Sequence, residues 1–502
     1  MESISINKTI KPTAKEIIII GSGFSGLSAS CYLAKKGYKV KILEKNETIG
    51  GRARQLKQDG FTFDMGPTFY WMPDVFEKFF ADFGKKPSDY YQLERLNPGY
   101  EIYFGEKDSV KLSSSLEEIY TTFENIEPGS SHLLKKFLKD AEFNYRVAMD
   151  KVVYKPGKSP LELITPATAQ RTMQFFLSIS SVIRKNFKNE KLRQILEFPV
   201  LFLGAKPQNT PAFYCFMNYA DLVLGTWHIK GGMFELVNGM KQLAESLGVE
   251  IRTDCRVSSI TTEKNKVTGV IVNGETINAD LVISGADYHH TELLLPEKFR
   301  NYTEAYWGSR TMAPSALLYY VGFNRKIEKV SHHTLFFDTD FNTHASKIYD
   351  TPAWPEKPLF YTSFPSKSDD TVSPDGKDAG IFLIPIAPGL KDSEAIRKQY
   401  FDQIIDRIEK ITGESIKDAV SFYHSYAGSD FTRDYHAFKG NAYGLANTLL
   451  QTAFLKPKMQ NKRLKNLLYC GQLTVPGPGV PPTIISGKIA GNLALKYLSK
   501  NS

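Results

Sequence analysis

Three glycines and one acid define the chemistry open to this chain. Gly21, Gly23 and Gly26 stand in G-x-G-x-x-G spacing, and Glu44 follows 18 residues after the last of them. The first glycine permits a tight turn, and the second lets backbone N–H groups approach a pyrophosphate. The third lets a helix pack closely on a strand. A carboxylate at the distance of Glu44 accepts hydrogen bonds from a ribose. Just downstream, Ile49-Gly50-Gly51-Arg52-Ala53-Arg54 adds paired glycines that bring backbone near a ligand, and two guanidinium groups that neutralise negative charge. No Ser/His/Asp triad, paired-carboxylate signature or P-loop is visible, which argues against hydrolase and kinase chemistry. His228, His424 and His436 are candidate bases, but each reads as a structural histidine.

These residues need a scaffold, and the flanking sequence supplies one. Ile17 to Ile20 form a short apolar run, as expected of a parallel strand buried on both faces. Leu27 to Lys36 read as a helix that Gly37 ends, and Tyr38 to Leu43 as a second strand closed by Glu44. The positive end of that helix faces the phosphates. Further strands are expected at Phe61 to Phe63, Gly248 to Arg252, Val257 to Ile260 and Val267 to Val272, with Ala279 to Ile283 returning to the first sheet. Thr483 to Tyr497 read as a closing helix.

At 502 residues the chain can bury a large core in two domains or one composite one. Its 42% hydrophobic and 23% charged residues are ordinary for a soluble globular protein, while 33 Phe and 26 Tyr suit a long apolar cavity as well as a well-filled core. Cys31, Cys215, Cys255 and Cys470 lie far apart without a C-x-x-C pair, which fits a reducing cytoplasm. The pairs His289-His290 and His332-His333 lack i, i+4 ligand spacing, so no metal is expected. A net charge of +9 favours anionic partners, but no basic run interleaved with aromatics suggests nucleic acid. No apolar stretch reaches the ~20 residues needed to span a bilayer. Lys8, Lys11 and Lys15, with Leu27-Ser28-Ala29-Ser30-Cys31 beyond, mimic a lipoprotein signal. Cleavage there would remove all three glycines, so residues 1–15 read as a flexible lead-in instead.

Strand, glycine turn, terminal acid and then GGR is the pattern of FAD-binding oxidoreductases with a two-dinucleotide-fold arrangement, and it favours flavin over nicotinamide. The whole chain, from Lys15 to Leu498, resembles the bacterial-type phytoene desaturases, a carotenoid desaturase family of FAD-dependent oxidoreductases. The resemblance is carried by IIIIGSGFSGLSAS, GGRAR, FDMGPTF, GGM at 231–233 and CGQLTVPGPGVPPTIISGKIAG. It implies an α/β fold: a Rossmann-type FAD-binding domain (16–130, 221–300 and 441–502) with an inserted α+β substrate domain (131–220 and 301–440). By the same resemblance Gly21, Ser22, Gly23, Phe24, Ser25, Gly26, Glu44, Gly51, Arg52 and Arg54 bind FAD. The Val257 backbone meets the adenine, and Gly471, Val480, Pro481 and Thr483 flank the ribityl chain and flavin ring. Gln472 departs from the acid many such flavoproteins carry there. Arg52 and Arg54 are the candidate catalytic residues, stabilising reduced flavin.

The activity so implied is stepwise dehydrogenation of phytoene toward lycopene, by hydride transfer from an allylic carbon to flavin and loss of a proton from the adjacent carbon. A hydroxycarotenoid 3,4-desaturase and a carotenoid isomerase share the motifs. A flavin-free prenyl-lipid escort protein is the alternative of another class. The electron acceptor is oxygen or a membrane quinone. The broad apolar face from Met173 to Phe187, followed by Arg184, Lys185, Lys188, Lys191 and Arg193, reads as a packed helix or as a peripheral membrane contact of a cytoplasmic protein.

Overall fold

The computed structural model describes residues 15–163, 166–169, 171–448 and 450–501, so all but the last residue of the expected lead-in lies outside the described residues. The isoleucine run forms strand β1 (Glu16–Ile20), followed by helix α1 (Phe24–Ala34) and strand β2 (Lys39–Leu43). β1 lies at the centre of a five-stranded parallel sheet. On one side are Leu281–Ser284 and then Leu467–Tyr469; on the other are β2 and Glu250–Arg252.

Strand alternation explains why all four isoleucines are apolar. Ile17 and Ile19 pack with Leu27 of α1 and with Ile485 and Ile489 of the C-terminal helix Val480–Lys500. Ile18 and Ile20 point the other way, onto Val257, Ile260 and Val270 of a three-stranded antiparallel sheet. A strand covered on both faces must be apolar at every position. Contact between α1 and the C-terminal helix is tight. Ser28 Oγ donates to Ile484 O at 2.8 Å, and a Cβ added at Gly487 would lie 2.3 Å from Ser25 O.

The second layer is a seven-stranded sheet in the order Val420–Tyr426, Ser315–Phe323, Asp378–Ile386, Phe360–Ser363, His333–Phe336, Tyr100–Gly105, Asp108–Leu112. Leu317, Tyr319 and Val321 face the helix Glu394–Thr412, burying Ile404, Ile405, Ile408 and Ile411, at about 1.5–3 kcal/mol of hydrophobic stabilisation each. Ser393 caps that helix by accepting from Ile396 N, and Gly413 at φ +70° ends it. The alternate residues, among them Ala316, Leu318 and Leu335, look into a cavity. Strands Tyr100–Gly105 and Asp108–Leu112 fall in the stretch assigned above to the cofactor domain, yet they complete the large sheet. Thr334 pairs with Glu101, and Ser331 Oγ donates to the buried Glu101 carboxylate at 2.8 Å.

Helices between 130 and 222 cover the cavity from the other side. The stretch read as one apolar face from Met173 to Phe187 is broken at Ser178, whose side chain accepts from Ser181 N and starts a new helix, Ile179–Asn186. Ile179, Ile183 and Phe187 are buried, whereas Met173 and Phe176 are left in solvent. The basic cluster is largely committed to ion pairs: Arg184 with Glu190 and Glu197, Arg193 with Glu190, and Lys191 with Asp108.

Candidate active site

β1 runs into a turn at Gly21, whose φ of +92° suits glycine, and Gly21 N donates to Leu43 O at 2.8 Å. Gly23 caps α1 without any side-chain hydrogen bond, so its backbone leaves first-turn N–H groups for a ligand. A Cβ on Gly23 would meet nothing within 4 Å, whereas one on Gly26 would lie 2.1 Å from Gly21 O. The two glycines therefore do different things: one keeps space open, the other permits close packing. Glu44 is buried and held by four donors. Its Oε2 accepts from Ser22 N (3.0 Å) and Ser22 Oγ (2.8 Å), and its Oε1 from the backbone N and Nδ2 of Asn46 (both 3.0 Å).

Gly50 (φ +99°) and Gly51 (φ +57°) turn the chain so that Arg52 enters the site. Arg52 Nη2 donates to Asn441 O at 3.3 Å, and its guanidinium lies 5.0 Å over the Tyr435 ring. Its buried Nε has no partner among the described residues. Burial lowers the guanidinium's affinity for its proton, against the pull of Asp287. Oriented with its amide oxygen toward Arg52, Gln472 accepts from Arg52 Nη2 at 3.2 Å and from Gly444 N at 3.3 Å. A neutral amide thus meets the guanidinium where an acid would have formed an ion pair.

Of the residues predicted to hold the cofactor, Gly21, Gly23, Phe24, Ser25, Glu44, Gly51, Arg52, Val257, Gly471, Val480, Pro481 and Thr483 line one cavity of about 470 Å³. Ser22, Gly26 and Arg54 stand behind its wall. Ser22 orients Glu44, Gly26 seats the helix, and Arg54 pairs with Asp434 at 2.7 Å while its Nε donates to the Tyr435 hydroxyl at 3.3 Å. Asp434 and Tyr435 do line the cavity, so Arg54 acts on it at one remove. The same wall holds a second helix N-terminus without a side-chain cap, that of Val480–Lys500. Two uncapped helix ends, an unpartnered guanidinium nitrogen and an open glycine cradle fit the pyrophosphate and flavin of FAD.

Asp287 carries no signal in the sequence, but it lines the cavity with His290, half of an adjacent histidine pair, and His436, one of the candidate bases. Asp287 is buried and accepts from His290 N and Phe438 N, and burial raises its carboxyl above the ordinary value. His290 and His436 stack at 3.9 Å between centroids; burial, with cationic neighbours, lowers them to about 3 and about 4, so both are neutral. His228 lies elsewhere, bonded to Asp369 at 2.8 Å, and His424 sits on an edge strand. The motifs FDMGPTF and GGM turn out to be partners. Asp64 Oδ2 accepts from Met233 N at 2.7 Å, and a Cβ at Gly232 would clash with that carboxylate at 2.7 Å.

Away from the charged end, the cavity continues between the large sheet and the helices as an aromatic passage. Phe69 stacks on His333 at 4.0 Å, and Phe202 packs edge-on against Phe69 and Trp71 at 5.4 and 4.9 Å. Phe337, Phe341, Ile348 and Leu359 extend the apolar wall. No helix among the described residues is long and apolar enough to cross a membrane, and no group of three or more His, Cys, Asp or Glu side chains among them is placed to hold a metal.

The profile of the flavin-containing amine oxidoreductases matches residues 24–494. A carotenoid 3,4-desaturase of Haloarcula japonica is 41% identical over 480 residues, covering 95% of this chain and 97% of that protein. A 4,4'-diapophytoene desaturase of Staphylococcus haemolyticus is 33% identical over 495 residues, covering 96% and 98%. Among solved structures, an oxidoreductase from Methanosarcina mazei superposes with a TM-score of 0.62 at 16% identity, over 94% of this chain and 99% of that one, which speaks for the fold alone.

Proposed function

Because the chain belongs to the family of flavin-containing amine oxidoreductases, among its carotenoid desaturases, we propose that it dehydrogenates phytoene stepwise toward lycopene with FAD as its cofactor. The observation that carries this reading is one cavity that joins a dinucleotide cradle at Gly21, Gly23, Glu44 and Arg52 to an aromatic passage free of ion pairs. FAD bound there supplies the two-electron sink that oxidation of an unactivated C–H bond requires. The protein does the rest. Uncapped N–H groups of α1 would hold the phosphates and Glu44 the ribose, while the C-terminal helix, whose Pro481 and Pro482 carry no N–H, would offer the polar ring edge the Val480 N–H and its dipole. Arg52, with a free Nε, stabilises negative charge that builds on the cofactor, and Arg54 fixes Asp434 and Tyr435 behind it. Phe69, Trp71 and Phe202 exclude water and orient the polyene. Delocalisation along the polyene removes the need for a strong general base, consistent with the lowered proton affinity of His290 and His436.

The 41% identity to a 3,4-desaturase favours a second reading, desaturation near the end of a hydroxylated carotenoid. Anaerobic incubation of FAD-loaded protein with phytoene in liposomes separates the two. Flavin bleaching with stepwise growth of longer-wavelength polyene bands supports the first. Unbleached flavin with phytoene, but bleaching by a hydroxycarotenoid, supports the second.

Substrate of this kind resides in bilayers, and the surface carries a matching patch. Leu161, Met173, Phe176 (74% exposed), Leu450 (79% exposed) and Leu455 project from two segments that touch near Gly157: Lys458 Nζ donates to Gly157 O at 2.9 Å, and a Cβ added at Gly157 would lie 3.3 Å from Ala453 O. Each such side chain gains about 1.5–3 kcal/mol on leaving water, enough together for reversible attachment to a membrane surface. Turnover in quinone-loaded against quinone-free vesicles, with and without oxygen, distinguishes the two electron acceptors.

A further inference from the structure

The apolar passage contains three phenols, and two of them lack partners. Tyr361 is satisfied: its hydroxyl lies 2.8 Å from Thr68 Oγ1 and 2.6 Å from His333 Nδ1. Tyr349 and Tyr443 also line the cavity, yet neither hydroxyl hydrogen-bonds to any described residue. Both residues are half-buried, and both face the cavity.

Their positions are fixed by the elements that carry them. Tyr349 ends the helix Phe341–Tyr349, whose Phe341, Ala345 and Ile348 face the cavity at helical spacing. Asp340 caps that helix, accepting from Thr343 N at 2.7 Å. His344 locks it to the sheet, taking a hydrogen bond from Leu359 N at 3.0 Å on Nδ1 and so donating from Nε2 to Pro385 O at 2.8 Å. Tyr443 sits between Ala442, whose N donates to Pro314 O, and Gly444, whose N donates to Asn441 Oδ1 at 2.8 Å. Asn441 O in turn accepts from Arg52, which puts Tyr443 near the charged end of the cavity. Burial raises the Tyr443 hydroxyl to about 12 and lifts that of Tyr349 as well, and Tyr443 is near enough to raise Tyr349 further. Both are therefore protonated at neutral pH, each able to donate and to accept.

An unpaired buried hydroxyl costs about 1–3 kcal/mol. A pure hydrocarbon in the passage leaves both unpaired, whereas an oxygen on the chain end satisfies them. We propose that Tyr349 and Tyr443 form a receptor for a hydroxyl group carried on the end of an acyclic carotenoid, and so select oxygenated over hydrocarbon substrates. This rests on the carotenoid-desaturase reading and deepens its second form.

The test compares binding of lycopene and of a monohydroxylated lycopene to the FAD-loaded protein, by the shift of polyene absorbance in detergent micelles. The wild type is expected to prefer the hydroxylated carotenoid at least tenfold, and Tyr349→Phe and Tyr443→Phe are each expected to lower that ratio about three- to tenfold. Flavin absorbance verifies that each variant is folded. A wild-type ratio near one, or variants that weaken both carotenoids equally, overturns the inference while leaving hydrocarbon desaturation standing. Failure to bind either carotenoid, together with flavin that neither phytoene nor the hydroxylated lycopene bleaches, overturns the desaturase reading with it.

Discussion

Gly23→Ala separates folding from cofactor binding more sharply than any other change at the site. The native φ of −68° and ψ of 172° suit alanine, and the new methyl would meet nothing within 4 Å. Fewer unfolded conformations favour the variant by about 0.4–1 kcal/mol, offset by about 0.5–1 kcal/mol for the poorer N-cap, so apoprotein stability should barely change. The methyl does, however, occupy the open side of the cradle. A phosphate oxygen sits about 2.9 Å from an N–H donor but about 3.5 Å or more from a methyl carbon, so it must retreat and lose one or two charge-assisted hydrogen bonds. At about 1.5–3 kcal/mol each, the loss is about 3 kcal/mol, or roughly a hundredfold in FAD affinity. Thermal unfolding of apoprotein and flavin fluorescence titration give the two readouts. Excess FAD at about 100 times the wild-type Kd should stabilise the wild type by about 2.7 kcal/mol and the variant by well under 1 kcal/mol. Normal FAD affinity in Gly23→Ala would refute the cradle. Gly26→Ala is the opposite case: its methyl would lie 2.1 Å from Gly21 O, so the apoprotein itself should lose several kcal/mol.

Removing the charge in Arg52→Met should lower the flavin's two-electron potential by about 30 mV for each 1.4 kcal/mol of lost stabilisation, read by anaerobic dye titration; an unchanged potential removes Arg52 from that role. Arg54→Ala should slow flavin bleaching by substrate, because Asp434 and Tyr435 lose their anchor, and an unaltered bleaching rate would refute its contribution. His290 and His436 have folded-state affinities below the unfolded 6.5, at about 3 and about 4, so their contribution to stability is present above pH 6.5 and lost as pH falls toward 4. Their partial exposure moderates the size of the effect. His290→Phe should flatten the dependence of the unfolding midpoint on pH over that window; an identical slope counts against the assignment. Phe176→Asp combined with Leu450→Asp should cut flotation with anionic liposomes at least tenfold without changing the circular dichroism spectrum.

What the sequence reveals here follows from distance along the chain. Gly21, Gly23, Gly26 and Glu44 are legible because one turn, one helix and one strand fix their spacing, and Gly51, Arg52 and Val257 join all of these but Gly26 in the cavity. Asp287 and the stacking of His290 on the candidate base His436 are not, because a helix cap and a left-handed residue from distant segments bring them together. FDMGPTF and GGM stand out as motifs, but their mutual role, a buried carboxylate accepting from backbone N–H groups 169 residues away, has no local signature. The apolar spacing from Met173 to Phe187 suggests one helix because periodicity does not register the Ser178 cap that divides it. The same limit hides Tyr349 and Tyr443. An unpaired hydroxyl is a property of what surrounds it, and nothing in the adjoining residues distinguishes these tyrosines from the other 24.

The place of β1 in its sheet bears on the order in which the protein can acquire its cofactor. Its neighbour Leu281–Ser284 comes midway along the chain, and the edge strand Leu467–Tyr469 and the helix Val480–Lys500 that seals α1 come last. At about 5–20 residues per second, roughly 25–90 s separate the synthesis of the glycine turn from that of its covering helix. Through that interval the face of the isoleucine strand that packs on Ile485 and Ile489 is without its covering helix, and the second uncapped helix end does not yet exist. The complete cofactor site therefore forms only once the last helix has been made, and tight FAD capture follows synthesis rather than guiding it.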